Sequence, residues 1–482
     1  MNYKTIKNIN PLIFRGYDIR GVAGEDLSPD VYYTFGRALA TRLARRKIDQ
    51  CQVGRDCRLS SDDYTTAIIA GLNDGGINTL DMGLCLTQMT YYSVYDCKNK
   101  AAVMITASHN PKEFNGLKIS TGYSESMTTE EIQDLRKLCE SGNFVAPKHK
   151  GTNASLAVFE SYKNDIIKRF NLKKKWRVVV DGCTSGSGVF YPKVLRAAGC
   201  EVIEQNCVPD GNFPLGTPDP TEVNVLERLG EGVRKSGADI GFAYDSDGDR
   251  MSVVDENGQP LWMDVILAIF AKGILATQPN AEIVYNTLCS RAVTESIESD
   301  GGKPVMWKTG HSFIKAKMIE DHAAFGGELS GHIFFYDNFY GYDDGANASL
   351  RLLDYLETVG KSVGEVAKEL PLYVSSPQIK LELADEIKFQ FIDKQIAAAF
   401  RQTWPEAKFT TVDGIRMDLP DRMAIVRASQ NGPYIAVKFE GKSVEIYNDV
   451  RKKLLEILQS FSEIGWQDES NAGALLDNKT MD

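Results

Sequence analysis

The sequence predicts an α/β protein that ends in an α+β module and is divided into several domains. Three observations carry this expectation. From the N-terminus to about residue 360, short apolar runs alternate with segments of helical period, the pattern of sheets covered by helices. The last part changes texture, with one long helical stretch followed by closely spaced strands. Finally, 482 residues exceed what a single hydrophobic core usually holds, so two to four domains are expected.

Taken in order, Asp30–Lys47 reads as a helix, Gln50–Gly54 as a strand, Asp62–Gly75 as a helix, and Thr79–Gly83 and Ala101–Ile105 as strands. This alternation implies a largely parallel sheet. Thr128–Ser141 is a charged helix opened by a capping-box pattern, Thr128 followed by Glu131. The polar stretch Gly142–Asn153 sets the first boundary, so the first domain covers 1–150. The second, 151–256, holds the strand Arg177–Asp181, the glycine-serine loop Gly182–Gly188 with a helix after it, the proline- and glycine-rich loop Asn206–Asp219, and the strand Ile240–Tyr244. The Gly182–Gly188 loop could cradle a phosphate. It lacks both a dinucleotide fingerprint and a P-loop lysine, so a tight strand-to-helix turn is the preferred reading.

The third domain, 257–365, carries the strand Ile283–Tyr285 and the aromatic stretch Tyr336–Asp344. That stretch is read as a structural loop rather than a sugar-stacking surface, with Asp343 and Asp344 preceding or capping a helix at Ala346–Glu357. The fourth domain, 366–482, has a helix at Ala384–Trp404, strands around Thr410–Arg416, Arg422–Ala428 and Tyr434–Glu440, and a closing helix at Ser443–Ile464. The polar tail Gln467–Asp482 is expected to fray.

Composition bounds the function. The chain has 55 basic and 65 acidic side chains, a net charge of -10, which argues against a broad nucleic-acid surface. Local arginines can still bind an anionic substrate inside a cleft. The longest apolar candidate, Val265–Ala276, is interrupted by Lys272 and too short to span a bilayer. The N-terminus lacks an apolar signal core. Nine cysteines are dispersed without C-x-x-C pairs, as in reduced thiols of the cytoplasm. A cytoplasmic protein with no membrane and no nucleic-acid partner is therefore expected.

Chemistry concentrates in three loops. The apolar run Ala101–Ile105 feeds into Thr106-Ala107-Ser108-His109-Asn110-Pro111, placing a hydroxyl at a strand end, where α/β proteins keep reactive groups. Alone, Ser108 would be an ordinary turn serine. The second loop, Asp245-Ser246-Asp247-Gly248-Asp249-Arg250, follows the strand Ile240–Tyr244. Its alternate carboxylates suit a hard cation, and Arg250 offers a fork of donors to a phosphate. A calcium loop is the rival, with Glu256 at its twelfth position. Arg250 stands where that loop needs glycine, so magnesium is preferred. The third loop, Gly327-Glu328-Leu329-Ser330-Gly331-His332, can hydrogen-bond a polyol. Together the three suggest phosphoryl transfer to or from a sugar. Of the five histidines, His109, His311 and His332 lie in such motifs, whereas His149 reads as solvated and His322 as part of a helix.

These loops occur in order with Ile13–Gly21, Val53–Asp56, Lys308–Ser312 and Val426–Ser429. The set resembles the α-D-phosphohexomutase family over nearly the whole chain. The resemblance implies three doubly wound α/β/α domains and a smaller α+β C-terminal domain around a central cleft, closed by rotation of the last domain. It implies that Ser108 carries a phosphoryl group, and that Asp245, Asp247 and Asp249 ligate Mg²⁺ with a Ser108 phosphate oxygen. Tyr17, Arg20, His109, Lys118, Arg250 and His311 would surround the reacting phosphate. Glu328 and Ser330, with His332 nearby, would hold sugar hydroxyls. Arg427 and Ser429 would grip the other phosphate, with Gln430 and Asn431 able to donate hydrogen bonds.

The implied activity is interconversion of hexose 6-phosphate and hexose 1-phosphate through a hexose 1,6-bisphosphate, by a monomer or homodimer acting on small sugar phosphates. Two departures stand out. Leu288 occupies a position where relatives often have lysine, and Gln430-Asn431-Gly432-Pro433 replaces the usual Asn-Thr continuation of the phosphate loop. Leu329 favours mannose or glucose phosphate. Phosphoglucosamine mutase, a non-catalytic phosphosugar sensor and a phosphatase are the alternatives.

Overall fold

The computed structural model describes residues 2–430, 432–466 and 471–476. Contacts divide the chain into two compact units, Met1–Met263 with Ser330–Glu365, and Asp264–Leu329 with Val366–Asp482. The architecture is α/β in the first three blocks, followed by a further sheet domain.

In the first unit, one sheet runs in the order Ile19–Val22, Phe114–Ser120, Ala102–Ile105, Gln50–Arg55, Asn78–Leu84, Asn153–Ser155. The predicted parallel core is present, since Gln50–Arg55 pairs parallel with both Asn78–Leu84 and Ala102–Ile105. The sheet is nonetheless mixed. Phe114–Ser120 folds straight back antiparallel on Ala102–Ile105, and Ile19–Val22 pairs antiparallel with it. Phe114–Ser120 escapes a period-two reading because almost all of it is buried, on both faces of the sheet. The helix Thr87–Asp96 escapes for the same reason: its first eight residues are all buried, so no polar stripe marks it. The helices Pro29–Arg45 and Ser61–Asp74 pack face to face, close enough for Gly36 and Gly71 to meet backbone to backbone. Thr128 caps Thr129–Ser141 in a complete capping box with Glu131.

The same unit holds a five-stranded sheet ordered Pro260–Leu261, Met251–Val254, Ile240–Tyr244, Arg177–Asp181, Glu201–Gln205. Gly182–Gly188 is a strand-to-helix turn. Cys183 and Thr184 take positive φ, Ser185 Oγ donates to the Gly182 carbonyl at 2.6 Å, and a Cβ on Gly182 would sit 2.5 Å from Gly188 Cα. The Tyr336–Asp344 stretch is packed rather than presented. Tyr340 lies 4.4 Å from the Tyr95 ring, Tyr342 stacks on Tyr91 at 5.5 Å, and the Arg169 guanidinium lies over Tyr340. Asp344 caps Gly345–Val359 by accepting from the Asn347 N–H at 2.9 Å. Asp343 does not cap; it turns to His332.

In the second unit, Glu282–Asn286 pairs parallel with Lys303–Trp307 and with Phe325–Gly327. The C-terminal sheet is antiparallel around the long strands Arg422–Ala428 and Tyr434–Gly441. Two expectations are corrected here. The stretch expected as one helix from Ala384 to Trp404 is Lys388–Phe391, a π-turn at Ile392–Ile396, then Ala397–Thr403. The stretch around Thr410–Arg416 is two strands, Lys408–Thr410 and Ile415–Leu419. They are split by a turn at Gly414, where φ is +80° and a Cβ would lie 2.3 Å from the Val426 carbonyl oxygen. His322 lies past its helix, as the left-handed cap of His311–Asp321. Among the described residues no helix is long and apolar enough to cross a membrane.

Candidate active site

Ser108 follows the buried strand Ala102–Ile105 and is itself buried. Its φ is +51°, a left-handed conformation that strains a non-glycine backbone by roughly 1–3 kcal/mol. The conformation aims its hydroxyl at the acidic loop: Ser108 Oγ donates to Asp245 Oδ2 at 2.7 Å. His109 Nδ1 lies 3.4 Å from Ser108 Oγ. Arg20, on the strand Ile19–Val22, donates through Nη1 to the Ala107 carbonyl and, at 2.9 Å, to Asn110 Oδ1, while Asp18 holds its Nε. Tyr17 feels the Arg20 and Arg250 charges.

The acidic loop closes between the strands Ile240–Tyr244 and Met251–Val254. Gly248 is required at its bend, because φ is +75° and a Cβ would meet the Tyr191 ring and hydroxyl at 2.8 to 3.1 Å. Asp245, Asp247 and Asp249 are all buried, with carboxylate oxygens within 4.8 Å of one another. Lys118, from the antiparallel strand Phe114–Ser120, donates to Asp247 Oδ2 at 2.7 Å and to Asp249 Oδ2. Burial raises the Asp245 carboxyl well above its ordinary range, and Asp247 and Asp249 push it further. Burial also opposes ionisation of Asp247 and Asp249, but Lys118, with the Thr87 hydroxyl on Asp247 and with His332 and Arg250 beside Asp249, holds both below the ordinary value. Burial would lower Lys118; the same two carboxylates keep it raised.

Asp247 Oδ1 and Asp249 Oδ1 are buried and accept no hydrogen bond among the described residues. Hard oxygen donors left over in an oxygen-rich, negatively charged pocket fit a divalent cation such as Mg²⁺. The calcium-loop rival does not fit. Met251–Val254 is a strand, and Glu256 accepts instead from Ser362 Oγ at 2.8 Å and from the Gly364 N–H.

Arg250 Nε donates to His332 Nε2 at 3.0 Å, and His332 Nδ1 meets Asp343 Oδ2 at 2.7 Å. An arginine N–H can only donate, so Nε2 accepts and Nδ1 carries the hydrogen given to Asp343. Asp343 thus orients His332, and His332 orients Arg250. Burial would lower the Arg250 pKa, but Asp219, Asp245 and Asp249 hold the guanidinium charged. The first unit therefore brings together Ser108, His109, Arg20, Lys118, the three aspartates, Arg250 and His332. Ser330 lies in the turn just before His332.

In the second unit, His311 opens the helix His311–Asp321 after Gly310, whose N–H donates to Glu328 Oε1 at 2.5 Å. Arg427 Nε donates to Asp413 Oδ2 at 2.7 Å. The same oxygen accepts from the Thr309 N–H and from Thr287 Oγ1. Ser429 N–H bonds the Tyr434 carbonyl, closing the loop that holds half-buried Gln430. Asn431 lies outside the described residues. Leu288 packs with Met423 and Ile425, and Leu329 lies against them, so the position is apolar in its surroundings as well as in itself. The guanidinium of Arg291, three residues on, meets Asp418, Glu295 and Tyr373.

Sequence reasoning missed Arg58, Thr106 and Asp413. Each works through hydrogen bonds to residues distant in the chain, which leave no local pattern. The adjacent Val53–Asp56 motif was the only pointer toward Arg58.

Comparison with known proteins places the chain in a family. Phosphoglucomutase/phosphomannomutase alpha/beta/alpha domains I, II and III match residues 11–146, 160–258 and 262–373. A phosphomannomutase/phosphoglucomutase of Pseudomonas putida is 39% identical over 431 residues, covering 89% of this chain and 92% of its own. A phosphoglucomutase of Neisseria gonorrhoeae is 33% identical over 454 residues, covering 94% and 98%. The crystal structure of a phosphoglucomutase/phosphomannomutase family protein from Burkholderia thailandensis superposes with a TM-score of 0.87 at 32% identity, covering 94% of this chain and 98% of that one. With three consecutive domains matched and relatives aligned nearly end to end, the chain belongs to the α-D-phosphohexomutase family, among the phosphoglucomutases/phosphomannomutases.

Proposed function

We propose that this protein is a phosphomannomutase/phosphoglucomutase, interconverting hexose 6-phosphate and hexose 1-phosphate through phosphorylated Ser108 and a hexose 1,6-bisphosphate. The observation that carries the proposal is the buried Ser108 hydroxyl, held against Asp245 in a pocket that also contains Lys118, Arg20 and Arg250.

In the first half-reaction the Oγ–P bond breaks and a sugar hydroxyl oxygen takes the phosphoryl group. The sugar hydroxyl loses its proton, and Ser108 Oγ gains one. His109 Nδ1, 3.4 Å from that oxygen, is placed to hold the proton. Arg20 and Arg250 are fixed cations for the transferring charge, each steered by a carboxylate or imidazole partner. Mg²⁺ on Asp245, Asp247 and Asp249 would neutralise charge on the transferring phosphoryl group. The bisphosphate then turns over and returns its other phosphoryl group to Ser108. Such a cycle needs a second, non-reacting phosphate site; Arg427 and Ser429 serve it in this reading, with Glu328 and Ser330 on the sugar hydroxyls. Leu329, the apolar centre of the Gly327–His332 loop, supports mannose and glucose phosphates over the amino sugar in this reading.

The test is phosphorus NMR of the purified protein with Mg²⁺, a trace of glucose 1,6-bisphosphate, and mannose 1-phosphate or glucose 1-phosphate. Appearance of the 6-phosphate is expected for both sugars. Conversion of neither would overturn the proposal.

A further inference from the structure

We infer that Arg58 is the positioning residue that fixes the reactive conformation of Ser108, an inference that rests on the phosphoserine reading above. Arg58 lies between the strand Gln50–Arg55 and the helix Ser61–Asp74, and it is 2% exposed. A guanidinium has five N–H donors, and Arg58 uses all five. Nε donates to Asp56 Oδ2 at 3.0 Å. Nη1 donates to the carbonyls of Pro111 and Phe114 at 2.7 and 3.0 Å. Nη2 donates to the carbonyls of Ser108 and Asn110 at 2.8 and 2.7 Å. Every acceptor except Asp56 is a backbone carbonyl of the segment 108–114, so one rigid fork holds the whole serine loop.

Asp56 completes the clamp. Its Oδ1 accepts from Ser61 Oγ and from the Arg58 N–H, and its Oδ2 accepts from Thr106 Oγ1. Thr106 Oγ1 in turn accepts from the Ser108 N–H at 2.8 Å. The Ser108 carbonyl is thus held by Arg58, and its N–H through Thr106 by Asp56. A serine does not rest at φ +51° unaided. Bonds on both of its peptide groups keep it there and keep Oγ on Asp245. Arg58 has no donor left for a phosphate, so its effect on the reaction passes through the Ser108 backbone. A lysine offers three donors from one point and cannot span these carbonyls.

The experiment compares Arg58→Lys and Thr106→Val with wild type in the full-length protein. Phe213→Leu is the packing control, because the Phe213 ring lies 5.0 Å under the Arg58 guanidinium and gives the loop no hydrogen bond through its side chain. Four quantities are read: kcat and KM with glucose 1-phosphate, the rate of phosphate loading on Ser108 from glucose 1,6-bisphosphate by intact-protein mass, and the melting temperature. Arg58→Lys is expected to lower kcat and loading by roughly a hundredfold with KM little changed, the cost of misplacing a reacting group by about an ångström. Thr106→Val should do the same more mildly, and Phe213→Leu should lower the melting temperature alone. Folded Arg58→Lys protein with wild-type kcat and loading would overturn the inference. So would a kcat loss no greater than that of Phe213→Leu at an equal drop in melting temperature. If Arg58→Lys fails to fold, Thr106→Val decides by the same criteria. Wild-type protein that never takes phosphate on Ser108 would overturn the phosphoserine reading and this inference together, whereas normal wild-type loading with unaffected variants overturns the inference alone.

Discussion

Ser108 Oγ donates to Asp245 Oδ2 at 2.7 Å across 137 positions of sequence. A hydroxyl tolerates this neighbour, but a phosphoryl group on the same oxygen brings roughly two negative charges beside a carboxylate. The pairing therefore calls for cations around it. Lys118, Arg20 and Arg250 supply three, and the unsatisfied oxygens of Asp247 and Asp249 fit a fourth.

Replacing Ser108 by alanine removes the phosphoryl carrier. Turnover of glucose 1-phosphate should fall by at least ~10³-fold, in the range seen when a nucleophile is deleted. Phosphate uptake from glucose 1,6-bisphosphate should vanish while the fold is kept. Retained turnover would sink the mechanism, and coupled-enzyme kinetics with circular dichroism decide it.

Asp245→Asn has opposite effects on stability and metal affinity. The buried Asp245 carboxyl is raised by burial and by Asp247 and Asp249. A carboxyl raised above its unfolded value makes the folded state less stable as pH rises from the unfolded pKa through the folded one. Without metal at pH 8, the asparagine variant should therefore melt higher than wild type. Its affinity for Mg²⁺ or Mn²⁺ should drop about tenfold or more, since even outer-shell ligand changes cost that much. The rise in melting temperature on adding metal should shrink accordingly. Equal metal-induced shifts in the two proteins would contradict the assignment of Asp245 as a ligand.

Asp344 supplies a second pH test. Burial pushes its carboxyl up to about 7, against the hydrogen bonds from the Asn347 N–H and the Tyr162 hydroxyl. The folded protein therefore binds a proton here that the unfolded chain, with a carboxyl near 3.9, has released. Stability from this site is greatest at or below pH ~4, declines towards pH ~7, and is level above. Asparagine also caps helices well, so Asp344→Asn should keep the cap and remove the slope. The stability difference between variant and wild type should grow by up to ~4 kcal/mol from pH 4 to pH 8. Urea unfolding at both ends of that range measures it.

In the second unit, Asp413 holds Arg427, Thr309 and Thr287 on one oxygen. Asp413→Asn weakens the charge-assisted bond to Arg427 and keeps the volume. KM for mannose 1-phosphate and glucose 1-phosphate should rise about tenfold, with a smaller change in kcat, as for loss of a ligand-orienting partner. An unchanged KM would remove Arg427 from the phosphate site.

Much of the architecture was legible because it is written locally. The strands Arg177–Asp181, Ile240–Tyr244 and Arg422–Ala428 have the predicted bounds, and Thr128 with Glu131 forms the predicted capping box. Illegible elements are those whose pattern is erased by burial on all sides, such as Phe114–Ser120 and Thr87–Asp96. The π-turn at Ile392–Ile396 interrupts a stretch whose residues all suit a helix, so composition could not announce it.

By itself the sequence determined the alternation of strands and helices, the order of the three chemical loops and the residue types within them. Periodicity, glycine at bends and acceptors at helix starts act over a few residues and need no partner to be read. Only the tertiary structure decided that Phe114–Ser120 folds back antiparallel and brings Lys118 onto Asp247 and Asp249. It alone turned Asp343 onto His332, buried Leu288 against Met423 and Ile425, and set four of the five donors of Arg58 on the serine loop. These contacts join positions far apart in the chain, and they are chosen by the need of each buried polar group for a partner and of each apolar side chain for close packing.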